Sequence, residues 1–269
     1  MTVASEQPSD NTARFPAGTF TPAPGPAARG RMLLAHARTE AALTLRNGEQ
    51  VLLTLLIPVA LLIGLSVLNI VSMPQPRVDS VTPSVFALAV MSSAFTGQAI
   101  ALGFDRRYGV LKRLAVTALP RWLLVAGRVL AGLVVVVIQL VVLGIVARCL
   151  GWSPGPAGLL WTLALAVLGT LSFGALGVLL GGTLRAELVL ALANMIWFLL
   201  LLAGGIVIPA DSMDNPVLRE IVRLLPSGAL AEGMHDGLLG AGPGWQPPLV
   251  LAVWGVLAAL LAVRTTRLT

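Results

Sequence analysis

The sequence predicts an all-α integral membrane protein. Its six transmembrane helices are preceded by an interfacial helix, with a cytoplasmic helix after the second span and short outside helices between the fifth and sixth. Three observations predict this. Hydrophobic residues make up 57% of the 269 residues and charged residues only 11%, where soluble domains carry about 25% charged. Uncharged stretches recur at the length of roughly 20 residues that a helix needs to cross a hydrocarbon core of about 30 Å. The basic residues gather on one side of those stretches.

Residues 1–28 hold five prolines among Ser, Thr and Ala and have no apolar period. That composition cannot bury enough apolar surface to order itself, so a disordered cytoplasmic tail is expected, with 29–269 as one six-span domain. From 31 to 46, at 100° per residue, Leu34, Ala37, Ala41 and Leu45 share one face. His36, Thr39, Glu40 and Arg46 lie on or toward the other. This describes an interfacial helix that precedes a turn into the membrane at Asn47-Gly48; a cytoplasmic extension of the first span is the alternative.

The first span is expected at 51–71 and the second at 80–104. The third covers 129–147, with 122–128 extending the helix inward. "GWSPGP" at 151–156 breaks the chain, which leaves about 158–182 as the fourth. The fifth is 188–210. The sixth, 249–263, is short, and begins at Pro247-Pro248 with Arg264 and Arg267 reaching toward the interface. Between the last two lies 209–248. There Val217, Leu218, Ile221, Val222 and Leu225 form an apolar stripe on a short helix that Pro226 stops, with Arg219, Glu220 and Arg223 opposite. A second short helix is expected over 228–239; the two either dip into the outer leaflet or lie on it.

Six spans put both termini on one side. Fourteen of the 18 Lys and Arg fall on that side, and four (Arg77, Arg148, Arg219 and Arg223) on the other. Bases near span ends are retained in the cytoplasm, so both termini are expected inside. The net charge of +6 and the pI near 11.2 reflect this topology. The bases flank spans instead of forming a separate basic domain, so no nucleic-acid partner is expected.

Catalytic signals are missing from the sequence. Histidines His36 and His235 stand far apart without ligand spacing, no G-x-S-x-G occurs, and Cys149 is alone. A phosphate loop needs G-x-x-x-x-G-K-[ST], and the one lysine, Lys112, follows a leucine in "VLKRL". The six span cores hold no ionisable residue, which weighs against a proton- or sodium-coupled carrier. Their polar residues are Asn69, Gln98, Gln139 and Asn194. Such side chains ordinarily hydrogen-bond to a neighbouring helix, worth about 0.6 to 2 kcal/mol. Gln98 and Asn194, with Trp197 and Phe198, are the candidates for a substrate path. Gly174, Gly177 and Gly181 permit close helix packing in span four.

One inside segment has more order than a topology signal requires. In "FDRRYGVLKRLAVTALPRW" (104–122), Asp105, Arg106 and Arg107 precede Gly109, which can end a helix in a left-handed cap. Val110, Leu111, Leu114 and Ala115 then form an apolar edge beside Lys112 and Arg113, and Pro120 precedes the re-entry pair Arg121-Trp122. The product is a short amphipathic helix across the cytoplasmic mouth; the plainer alternative is a solvated connector whose bases only enforce orientation.

This segment resembles the inside loop in membrane subunits of ATP-binding-cassette exporters of the second type. They include daunorubicin-resistance-like multidrug exporters and polysaccharide or lipid-conjugate exporters. Their loop reads roughly acid-Arg-acid-x-Gly-Thr, a Leu-rich helix, then Thr-Pro-Leu and a base. Asp105, Arg106, Gly109, Leu111, Leu114, Thr117 and Arg121 match it; Arg107 stands where a second acid is common, Val110 replaces Thr, and Ala118 takes the usual proline place. The stretch 204–238 is similar to the family's outside segment, Gly-x-x-x-Pro and two short helices with a proline between them.

The resemblance implies a permease domain over about 30–267 in a prokaryotic cytoplasmic (inner) membrane. It also implies that Asp105 to Thr117 form a coupling helix docked on a separate cytoplasmic ATPase, with two ATPases serving two like or unlike permeases. ATP and Mg would then belong to the ATPase and no cofactor to this chain. A scaffold or assembly factor that binds a cytoplasmic partner, and an ATP-independent carrier or channel, are the competing readings.

Overall fold

The computed structural model describes residues 27–68, 76–115, 120–204, 206, 215–238 and 242–265. Among them are eleven α-helices and no strand. The helix α1 (Arg29–Arg46) leads into α2 (Gly48–Val67). Next, α3 (Arg77–Met91), a π-helical turn (Ser92–Gly97) and α4 (Gln98–Arg107) form one continuous rod, and α5 (Val110–Ala115) follows it. Then come α6 (Arg121–Cys149), α7 (Pro156–Thr183) and α8 (Ala186–Ala203). The chain ends with α9 (Pro216–Leu224), α10 (Pro226–Leu238) and α11 (Gln246–Thr265). The rod, α6, α7, α8 and α11 are each long and apolar enough to cross a bilayer, whereas the apolar stretch Thr54–Val67 of α2 is shorter. Most of the expected tail, 1–26, lies outside the described residues, as does Asn69.

The rod is the centre of the bundle. Two-thirds of its apolar window, 67%, is buried, against 17% for α8. Its neighbour α7 presses against it backbone to backbone. A Cβ on Gly177 would meet the Phe95 carbonyl oxygen at 2.8 Å, and one on Gly181 would meet that of Ala99 at 2.4 Å. Only glycine fits there, so the expected packing role of this glycine pair holds. The π turn places Ser93 Oγ 2.6 Å from Gln139 Oε1 on α6, to which it donates. Gln139 thus makes the inter-helix bond expected of a polar residue in a span.

The packed face of α1 is rotated from the expected one. Ala37 and Ala41 are buried as anticipated, but Leu34 is 71% exposed, while His36 and Glu40 turn toward α6. A Cβ on Gly127 of α6 would lie 2.3 Å from the His36 ring, so that glycine is what lets the two helices meet. In lipid the small and polar residues pack inward and large apolar ones can face out.

The break after α6 occurs as expected, with Gly151 at φ +98°. Helix α8 stops at Ala203, shorter than the expected 188–210; of 205–214, only Ile206 lies within the described residues. The hairpin α9–α10 is inserted among the spans. Leu230 of α10 is fully buried and seats on Gly169, about 20 Å along α7 from Pro156 at 1.5 Å per residue. Helix α9 leaves Val217, Leu218 and Ile221 of its stripe exposed and buries Val222, while Leu225, just past the helix end, is half-buried.

Candidate functional site

The end of the rod is where the family-like segment lies. Helix α4 closes with the Tyr108 amide donating to the Phe104 carbonyl (2.9 Å) and the Gly109 amide to that of Arg106 (3.2 Å). Gly109 has φ +69°, a left-handed conformation in which a Cβ is strained. The expected cap is therefore present, and it turns the chain into α5.

Three charged residues before that cap each grip a different part of the bundle. Asp105 pairs with Arg128 of α6, and Arg128 lies 3.5 Å from Glu40 of α1. Arg106 donates to the carbonyls of Gly181 and Leu184, both at 3.1 Å. Those carbonyls end α7, where the helix dipole favours a cation. Arg107 pairs with Glu187 in the first turn of α8, where an acid is favoured for the converse reason. The rod end is thus tied to α1, α6, α7 and α8 at once.

Arg128 is buried, and its second terminal nitrogen has no partner. Removing one member of a buried ion pair leaves an uncompensated charge, so this contact demands that Asp105, Arg128 and Glu40 stay together.

Helix α5 divides its residues. Leu111 is only 6% exposed and packs with Leu102, Val178 and Ala262, whereas Lys112 and Arg113 are exposed. The apolar edge therefore turns toward the bundle at Leu111. The side chain of Leu114, and Thr117 altogether, lie outside the described residues.

The four substrate-path candidates do not converge. Gln98 donates to the Arg128 carbonyl at 3.4 Å and lines a pocket of about 90 Å³ with Glu40, Thr44, Thr54 and Ser93. Trp197 Nε1 donates to Ser92 Oγ in the π turn at 2.9 Å. Asn194 donates to its own helix at Leu190 (2.8 Å), and it and Phe198 are exposed on α8.

Two features of the sequence mark the charge cluster. Arg128 lies in the inward extension of the third span, within the continuous helix α6, and a base within an apolar helix marks a paired site. Glu40 shares a helix face with His36, Ala37, Ala41 and Thr44, the small and polar surface that packs in lipid. Among the described residues, no cluster of His, Cys, Asp or Glu is placed to hold a metal ion.

Two comparisons bear on these elements. A family model for ABC-2 type transporters matches residues 32–239, from α1 through the α9–α10 hairpin. The chain is also 26% identical over 225 residues to YvfS of Bacillus subtilis (strain 168), whose name describes it as a transport permease. That match covers 81% of this chain and 90% of YvfS.

Proposed function

The chain belongs to the ABC-2 type transporter family, and from that premise we propose that it is the six-span permease of an exporter in a prokaryotic cytoplasmic membrane. It moves a hydrophobic drug, lipid or lipid-linked molecule outward, driven by a separate cytoplasmic ATPase. In this arrangement α2 is the first span, both termini are cytoplasmic, and ATP and Mg act on the ATPase.

One observation carries the reading. The exposed bases Lys112 and Arg113 sit at the tip of a short helix whose root is fixed by Asp105, Arg106 and Arg107 to four other helices. A push on α5 cannot be absorbed locally, because the residues that precede it are bonded to α6, α7 and α8. Closing of two ATPases would shift the rods of two permeases and switch access from inside to outside. The second permease would cover α8, the least buried of the five long spans, on the face that presents Asn194 and Phe198.

Reversing two exposed charges tests the docking. In Lys112→Glu/Arg113→Glu, recovery of the ATPase with affinity-purified permease is expected to fall at least tenfold, with thermal stability unchanged. Undiminished recovery would overturn the coupling role.

A further inference from the structure

A cleft of about 350 Å³ opens between the end of α4, the start of α5 and the turn from α7 to α8. Its charged lining is Arg106, Arg107, Lys112 and Arg185 against Glu187. Arg106 is engaged by helix-end carbonyls and Arg107 by Glu187. Lys112 and Arg185 have no ion-pair partner among the described residues and are exposed. Four cations around one acid, in a concave space near the small end of ligand clefts, make a surplus of positive charge that the fold itself does not neutralise.

We propose that this cleft binds the phosphodiester headgroup of an anionic phospholipid from the inner leaflet. The inference rests on the orientation in the proposed function, since it needs this end of α4 to face the cytosol. Three features favour a lipid over a protein segment. The exposed apolar residues Leu188 and Leu190 begin immediately after the cleft on α8, so the lipid-facing surface starts at its edge. The charged lining lies where α4 and α7 end and α8 begins, and basic pockets between spans on the cytoplasmic side collect anionic headgroups. Arg113 lies on the same short helix but outside the cleft, which leaves a separate base to face the ATPase. A phosphodiester accepts from Lys112 and Arg185 together and so links α5 to the α7–α8 turn.

The test uses permease purified without its ATPase and placed in nanodiscs of phosphatidylglycerol and phosphatidylcholine in equal amounts, with retained lipids read by native mass spectrometry. Phosphatidylglycerol is expected to be enriched. Lys112→Ala/Arg185→Ala lowers that enrichment on the order of tenfold, while Arg31→Ala/Arg38→Ala, which removes two exposed bases of α1, leaves it intact. The wild-type protein gives a second readout, because the enrichment falls as salt is raised. No preference in the wild type, or an equal preference in the cleft variant, would overturn the proposal. So would stabilisation of lipid-free micellar protein by inorganic phosphate, lost in the cleft variant, without phosphatidylglycerol retention; the site would then serve a soluble phosphate. Unchanged lipid retention with lost ATPase recovery in the cleft variant would assign the cleft to the ATPase instead. Lipid loss there, with ATPase recovery intact in Lys112→Glu/Arg113→Glu, would leave the lipid site standing and sink only the coupling role.

Discussion

The α4–α5 corner and the α9–α10 hairpin both join spans without crossing the bundle, and they are held in opposite ways. The corner is held by direction: Arg106 on two carbonyls, Asp105 on Arg128, Arg107 on Glu187. The hairpin is held largely by shape, with Leu230 seated on Gly169, Leu165 on Gly233 and Trp161 on Gly237, alongside contacts from Arg223 to Glu232 at 3.1 Å and to Glu220 at 3.5 Å and a bond from Trp254 Nε1 to the Leu224 carbonyl at 2.9 Å. Directional bonds fix a register between helices while leaving α5 at the surface. Shape fit excludes solvent and leaves little to grasp. The first suits a handle and the second a seal.

Four substitutions probe that contrast. The largest effect is expected at Arg128→Ala, which leaves Glu40 and Asp105 without their shared cation and lowers stability by about 3 to 5 kcal/mol; thermal unfolding of the purified permease reads it. Leu230→Ala should weaken the hairpin by about 2 to 4 kcal/mol through a cavity. Its loss will not depend on salt, which separates shape from charge. Gly181→Ala places a Cβ against the Ala99 carbonyl and should cost about 1 to 3 kcal/mol by forcing α7 off the rod. Glu187→Gln removes a pair whose side chains are 51% and 63% exposed, so less than about 1 kcal/mol is expected, vanishing at high salt. A Glu187→Gln loss as large as that of Arg128→Ala would erase the distinction between the buried cluster and the surface pair.

Much of this architecture was legible because a bilayer sets span length. The ends of α6, α7 and α11 fall close to where apolar runs, prolines and bases place them, and Gly109 takes the cap conformation that its position suggests. Facing was harder to read. A helical period reports which residues share a face, but in lipid both faces can be apolar, so the period does not say which one packs. That is why Leu34 points outward and Glu40 inward on α1, and why Leu111 faces Leu102 and Ala262. The π turn at Ser92–Gly97 left no compositional mark, since an extra residue in a helical turn needs no special side chain. The pairing of Arg128 has no local mark, because its carboxylate partners, Asp105 and Glu40, lie on other helices.

A cytosolic handle and an outer seal differ in which face of the membrane reaches them. In a Cys149→Ser background, Lys112→Cys and Val217→Cys would each be treated with a membrane-impermeant thiol reagent and then with a short cross-linker in active membranes. Lys112→Cys is expected to react only from the cytosolic face and to cross-link to a phosphate-loop ATPase, while Val217→Cys reacts only from outside. Labelling of Lys112→Cys from the exterior, or an active complex with no second kind of subunit at that position, would contradict this expectation.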